Sequence, residues 1–223
     1  MTTGHLDLAD HNSVVRFITE NTKLISPPLV PEMLLHLAAE SLPIWQKTED
    51  ELGEINLPPP YWAFAWAGGQ TVGRYLIDHP EICRGQSVLD LGSGSGISAI
   101  AAAKTGALSV VAADIDKVAL AACALNARAN AADLKITGAD LLAEPPRGED
   151  IVIIGDLFYE RQLADRVVAY IAEAKARGSA VFIGDPQRSY FPEGRYTRLA
   201  DYQVPVTREL EDTEIKRTAV WRA

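Results

Sequence analysis

Cysteine is scarce in this chain: there are two, Cys83 and Cys123, without a CxxC pair or a nearby Cys/His cluster. That excludes a disulfide framework and gives no support to a structural zinc site or any other metal. Two reduced thiols in a cytoplasmic protein are expected. Long apolar runs are missing too, so no membrane span or membrane partner is expected. Residues 1–10 contain Asp7 and Asp10 and lack an apolar core, which does not read as a signal peptide. Positive charge is in deficit, 21 Lys+Arg against 30 Asp+Glu, for a formal net charge of −9. A generic nucleic-acid binder needs a positive field to meet phosphates, so nucleic acid is not an expected partner, despite the local group Arg188, Arg195 and Arg198. A cationic ligand or a lysine-bearing protein suits this field better. The four histidines, His5, His11, His36 and His79, fall outside every motif below. Without a histidine in a matching context, Ser93, Ser95 and Ser98 are not nucleophile candidates.

What is present is an ordinary globular composition, 48% hydrophobic and 23% charged, on 223 residues. That length supports one substantial core. The reading is a single α/β domain over residues 58–223, preceded by an N-terminal helical extension over residues 1–57. In the extension, Val14, Val15, Phe17 and Ile18 form an apolar stripe behind the capping candidates Asn12 and Ser13. Pro31 opens a second predicted helix over 32–41, with Met33, Leu34, Leu37 and Ala38 at helical spacing. An acidic stretch at 49–54 and the stiff Pro58-Pro59-Pro60 follow.

Beyond Tyr61 the pattern alternates. Helices are predicted over 70–78, 97–104, 118–130 and 161–177. Strands are predicted over 87–91, 109–114, 134–137, 151–155 and 180–184. This is the signature of a doubly wound, mostly parallel sheet with helices on both faces. The tail reads differently. Segments 202–207 and 214–221 alternate polar and apolar around a charged turn at 209–212, as an antiparallel hairpin closing the sheet would.

The main motif is Val88-Leu89-Asp90-Leu91-Gly92-Ser93-Gly94-Ser95-Gly96, a buried strand running through a glycine-rich turn into a helix. Glycines allow a tight turn and close approach to a ligand. The helix start supplies unpaired N–H groups. A dinucleotide loop would read GxGxxG; here Gly96 comes one position early and Asp90 precedes the turn. A carboxylate there is awkward for a pyrophosphate and useful for an amino group, so the pattern favours S-adenosylmethionine over NAD. At the end of the next strand, Asp114 in Asp114-Ile115-Asp116 is placed to accept both ribose hydroxyls, while Asp116 reads as a helix cap. Asp140, after Gly138, reads either as a partner of the adenine amino group or as a solvated loop residue.

The strand 151–155 delivers Asp156-Leu157-Phe158-Tyr159 to the same sheet edge. Asp156 suits an orienting acceptor for an amine nucleophile, because a carboxylate raises an amine pKa rather than stripping its proton. Tyr159 suits packing along a lysine stem; a helix cap for Asp156 and a core aromatic for Tyr159 are the alternative readings. The segment Tyr61-Trp62-Ala63-Phe64-Ala65-Trp66-Ala67-Gly68-Gly69 adds aromatic rings beside paired glycines. Trp66 is the better pocket candidate, and Trp62 reads equally well as packing.

Together these residues resemble the seven-β-strand (class I) protein lysine methyltransferases, and within them the electron transfer flavoprotein β-subunit lysine methyltransferases, including bacterial members. The resemblance runs from about Pro58 to the C-terminus and implies a Rossmann-like seven-stranded sheet with a C-terminal antiparallel hairpin. It implies that Asp90, Gly92, Gly94 and Gly96 hold the methionine part of S-adenosylmethionine. It further implies that Asp114 and Ile115 hold the ribose, that Trp66 lines the pocket, and that Asp156 and Tyr159 match the D/E-x-x-F/Y motif of the lysine channel. The flavoprotein β-subunit is the implied protein substrate. Relatives that methylate ribosomal proteins, protein N-termini or a nicotinamide-like small molecule share features of the pattern. The segment Asp185-Pro186-Gln187-Arg188 with Tyr190, Phe191 and Pro192 also fits the family, with Arg188 expected toward the protein substrate.

Overall fold

The computed structural model describes residues 6–38, 59–206 and 213–223. The apolar runs form β3 (Ser87–Leu91), β4 (Ser109–Ala113), β5 (Lys135–Thr137), β6 (Ile151–Gly155) and β7 (Ala180–Asp185), paired in parallel. With β8 (Thr197–Pro205) and β9 (Ile215–Arg222) they make a seven-stranded sheet in the order β5-β4-β3-β6-β7-β9-β8. In β6 every residue from Ile151 to Ile154 is buried, because helices cover both faces and leave no polar side to alternate with. On one face α2 (Ala67–Asp78) and α3 (Ile97–Lys104) bury Val72, Leu76 and Ile100 against Val88, Ile153 and Phe182. On the other, α5 (Arg161–Ala176) buries Val167, Tyr170 and Ile171 against Leu89, Val152, Ile154 and Val181. This is the doubly wound arrangement, with α4 (Lys117–Ala129) completing the helical layer.

The hairpin at the C-terminus is antiparallel and closes the sheet, as expected, with one difference from the sequence reading: β8 begins at Thr197 rather than 202. Within the hairpin, β9 inserts between β7 and β8, antiparallel to both. Residues 218–221 of β9 are buried in succession, as an interior strand requires, whereas β8 at the edge fully buries only Val204. The predicted turn at 209–212 lies outside the described residues.

The N-terminal extension corrects one prediction. Helix α1 (His11–Asn21) is present, but its cap is Asp10, whose Oδ1 accepts the Asn12 N–H at 2.9 Å. The second predicted helix does not form over 32–38; residues 39–41 lie outside the described residues, as do the acidic stretch 49–54 and Pro58. Instead β2 (Leu35–Leu37) pairs antiparallel with β1 (Lys23–Ile25). Leu35 and Leu37 are buried while Leu34, assigned to the helix's apolar face, is 45% exposed. The period is two, not 3.6. Side-chain amides of α4 satisfy the outer edge of β2: Asn126 Oδ1 accepts the His36 N–H at 2.7 Å, and Asn130 bonds both the N–H and the C=O of Leu34. These partners are invisible in a local periodicity. The extension shares its core with the sheet domain, since Val30, Met33, Leu35 and Leu37 pack with Val72 and Leu76. Among the described residues, no helix is long and apolar enough to cross a membrane.

Candidate active site

Strand β3 ends between β4 and β6, where the strand order reverses, and open α/β sheets bind ligands beyond the carboxyl ends at such a point. A cavity of about 330 Å³ lies there. The turn after β3 holds Gly92, Gly94 and Gly96 at φ 70, 49 and 81°, the left-handed region that glycine enters without cost. Space is as restrictive as angle: a Cβ on Gly92 would come within 2.8 Å of Leu157, and one on Gly96 within 2.6 Å of the Cys123 Sγ. The turn feeds α3, whose Ala99 N–H is accepted by Asp90 Oδ2 at 3.0 Å. Asp90 is 2% exposed. Burial pushes its carboxyl up to about 7, the Ala99 N–H pulls it down, and the charge of Asp114 pushes it up again. Asp114 accepts the Gly94 N–H at 2.8 Å and the Asp116 N–H at 3.0 Å. Burial raises it as well, against those backbone bonds. Asp116 caps α4 through the Val118 N–H at 2.8 Å, as predicted. Two carboxyls crowded against one cavity suit a ligand with a cationic group and hydroxyl donors.

The other end of the cavity is built by a close approach of backbones. The first turn of α2 crosses the ends of β6 and β7 so tightly that a Cβ on Gly68 would strike the Gly184 carbonyl oxygen and Asp156 Oδ2. Helix α2 has no side-chain cap of its own at Trp66. Asp156 caps it from the end of β6 instead, its Oδ2 accepting the Gly69 N–H at 3.0 Å. Asp156 sits at φ 58°, a conformation that aspartate tolerates better than most residues. Its Oδ1 accepts from Arg188, with Nη2 at 2.7 Å and Nε at 2.9 Å. The Arg188 guanidinium also lies 5.3 Å from the Trp66 ring centroid, and its backbone N–H donates to Asp185 Oδ1 at 2.7 Å. Asp185 is fully buried, and burial together with the charge of Asp156 pushes it up to about 7. Tyr159, 44% exposed, leans on Tyr61 at 5.4 Å, and Tyr61 meets Trp66 at 5.9 Å. Burial pushes the Tyr159 phenol up to about 12, so it stays protonated.

Of the residues singled out from sequence, Trp66, Asp90, Gly92, Gly94, Asp114, Ile115, Asp140, Asp156 and Tyr159 all line this cavity. Gly96 does not; it is the left-handed N-cap of α3, backed by Cys123. Asp140 lines the cavity, accepts the Leu142 N–H and pairs with Arg166 at 2.6 Å. Trp62 is 2% exposed and packs on Phe17. Arg188, expected toward the protein substrate, turns inward onto Asp156 and lines the cavity. A carboxylate delivered to a buried sheet end needs a cationic partner, and the end of the adjacent strand supplies it. Gly69 and Tyr61 line the cavity as well. Cys83 and Cys123 are buried free thiols pushed by burial up to about 11 and 12. Among the described residues no His/Cys/Asp/Glu group could hold a metal ion.

Comparison with known proteins agrees with this geometry. The family described as Ribosomal protein L11 methyltransferase (PrmA) matches residues 76–176. That span carries Asp90, Asp114, Asp156 and Tyr159 but omits Trp66, Gly69 and Arg188. The electron transfer flavoprotein beta subunit lysine methyltransferase of Danio rerio is 36% identical over 218 residues, covering 95% of this chain and 83% of that protein. Its counterpart from Homo sapiens is 34% identical over 212 residues, covering 92% and 80%. Among solved structures, magnesium protoporphyrin IX methyltransferase from Synechocystis PCC 6803 with bound SAM shares the fold. Its TM-score is 0.51 and its identity 14%, over 83% of this chain and 99% of that one.

Proposed function

The chain belongs to the electron transfer flavoprotein beta subunit lysine methyltransferase family, and from that premise we propose that it transfers a methyl group from S-adenosylmethionine to a lysine of the electron transfer flavoprotein β-subunit. One observation carries the reading: a single cavity joins the carboxyl-lined glycine turn, at Asp90 and Asp114, to the Asp156–Trp66–Tyr159 end. The L11 methyltransferase match stops short of Trp66 and Arg188. Its span holds Asp90 and Asp114 as well as Asp156 and Tyr159, so a ribosomal protein is the second substrate to test.

The residues present fit the cofactor. Asp90 and the first turn of α3 would hold its methionine part, Gly92 and Gly94 would let it approach the backbone, and Asp114 with Ile115 would hold the ribose. Asp140 would stand at the adenine end and Trp66 would form a wall. When bound, S-adenosylmethionine supplies a methyl carbon whose bond to sulfur breaks, with the electron pair passing to sulfur, as the new N–C bond forms. The chain's own task is alignment and protonation state. Holding two reactants in line contributes on the order of 7–11 kcal/mol. A lysine of pKa about 10.4 is neutral in only about 1 in 2,500 molecules at pH 7, so the site must admit it without its proton. Asp156 orients the amine, and the Tyr61–Tyr159 pair lines the entrance along which the lysine stem passes. The one proton released is the one the lysine ammonium gives to solvent before it enters as –NH2, and the product leaves as the charged methylammonium. A cytoplasmic location goes with the two buried free thiols.

The test is incubation with tritiated S-adenosylmethionine and purified flavoprotein β-subunit, read by gel fluorography and mass spectrometry. Methyl-lysine on the subunit, absent with the Asp90→Ala variant, is the expected result. Label in low-mass products alone would overturn the reading.

A further inference from the structure

A carboxylate beside an acceptor amine creates a difficulty for methyl transfer. An opposite charge within about 4–6 Å stabilises the charged form of a group by about one to three pK units. Left to itself, Asp156 would hold an entering lysine as ammonium, which has no lone pair to give. The structure contains the counterweight. Arg188 binds Asp156 Oδ1 through both Nη2 and Nε, and the two side chains are only 16% and 10% exposed. A carboxylate offers about four acceptor positions. The Gly69 N–H and the two Arg188 N–H groups occupy at least three. At most one hydrogen bond is left to an incoming amine, which suits an –NH2 that keeps its lone pair and leaves an –NH3⁺ short of acceptors.

We propose that Arg188 is a positioning residue of the methyl-transfer site, neutralising Asp156 so that the acceptor lysine sits there as the free amine. The inference rests on the lysine methyltransferase reading above. Its placement is specific: the Asp185 carboxyl holds the Arg188 backbone N–H, Gln187 takes φ 61° to turn the chain, and the Trp66 face lies against the guanidinium. The other charged and titratable groups facing this end are accounted for. Asp185, fully buried on β7, gains negative charge as pH rises past about 7. Tyr159 stays neutral up to about 12, with Tyr61 and Glu160 beside it. Asp90, Asp114 and Asp116 face the same cavity from the far side, burial pushing Asp116 up to about 6, and Arg166 is paired to Asp140.

The experiment is the pH dependence of the single-turnover rate, at saturating cofactor and enzyme, on the flavoprotein β-subunit. It compares wild type with Arg188→Met and Arg188→Lys. Without the guanidinium, the charge of Asp156 favours ammonium, so the acid limb should move to higher pH by a unit or more. The rate at pH 7.5 should fall at least tenfold, and the plateau at high pH should stay within about threefold of wild type. Arg188→Lys keeps the charge and should shift less. The same shift should appear on an Asp185→Asn background, where that carboxyl no longer titrates. Should Arg188→Met fail to bind cofactor, Arg188→Gln is read by the same criteria. A rate lowered by one factor at every pH, or an unmoved profile, overturns the inference. A wild-type enzyme that labels no lysine overturns the underlying function instead, and does so before any variant is made.

Discussion

Asp156 Oδ2 accepts the backbone N–H of Gly69 at 3.0 Å, so a carboxylate that lines the cavity also caps the helix that covers it. Asp156→Ala should therefore cost both activity and stability. Loss of the orienting acceptor should lower the single-turnover rate on the order of 10²-fold, with cofactor affinity within about threefold of wild type. Loss of the cap, about 1 kcal/mol, should lower the Tm by about 2–4 °C. Because residue 156 sits at φ 58°, Asp156→Gly should melt above Asp156→Ala. Calorimetry and cofactor titration on the three proteins check this.

Cofactor affinity should depend on pH through Asp90. Its buried carboxyl is pushed up to about 7, and the cationic amino group of the ligand pairs only with the ionised form. The Kd for S-adenosylmethionine should fall as pH rises from 5.5 to 8. Asp90→Asn should weaken binding by about 100-fold and flatten that dependence. Isothermal titration across pH reads both; a dependence unchanged in the variant would remove Asp90 from this role.

Stability of the ligand-free protein should run the other way. Asp90 and Asp185 are each raised to about 7 in the fold against about 3.9 unfolded. Between those values the folded state binds more protons than the unfolded state, so stability is full below about pH 4 for these groups. It is lost as pH rises through 7. The Tm should decline from pH 5 to pH 8, and Asp185→Asn should reduce the decline. Thermal melts without ligand, over that range, are the measurement.

Gly68→Ala should be among the most damaging single-methyl additions in the chain. The new Cβ would meet backbone at Gly184 rather than a side chain that can move, and the first turn of α2 would have to lift away from β6 and β7. Both the Tm and turnover should fall together, whereas Gly178→Ala, at φ 96° with open space around its Cβ, should lower the Tm through backbone strain and leave turnover unchanged. Paired melts and activity assays separate the two.

Tyr159→Phe should retain turnover within about threefold, because the phenol stays protonated to about 12 and takes no part in proton transfer. Tyr159→Ala removes the ring that leans on Tyr61. It should cut kcat/KM for the protein substrate by about tenfold, the equivalent of about 1.4 kcal/mol of ring contact. Steady-state kinetics with the β-subunit distinguishes the two variants.

What could be read along the chain was whatever local chemistry dictates. The continuous apolar run 151–154 could only be a strand covered on both faces. Asp90 before three glycines announced a tight turn beside a carboxyl at the end of a strand, and Asp116 followed by Lys117 and Val118 announced a cap. The parallel order of the sheet core followed from the alternation of these signals. What the tertiary structure alone decided is what depends on partners distant in sequence. Residues 32–38 became extended chain because Asn126 and Asn130 of a later helix bond their backbone. Strand β9 moved inside β8 because residues 218–221 needed cover on both faces. Gly96 shapes the loop against Cys123 and stands outside the cavity lining. And Arg188, which in sequence is one basic residue in a polar loop, becomes the partner of Asp156, 32 positions away, because a charge buried at a strand end must be answered by whichever cation the neighbouring strand brings within reach.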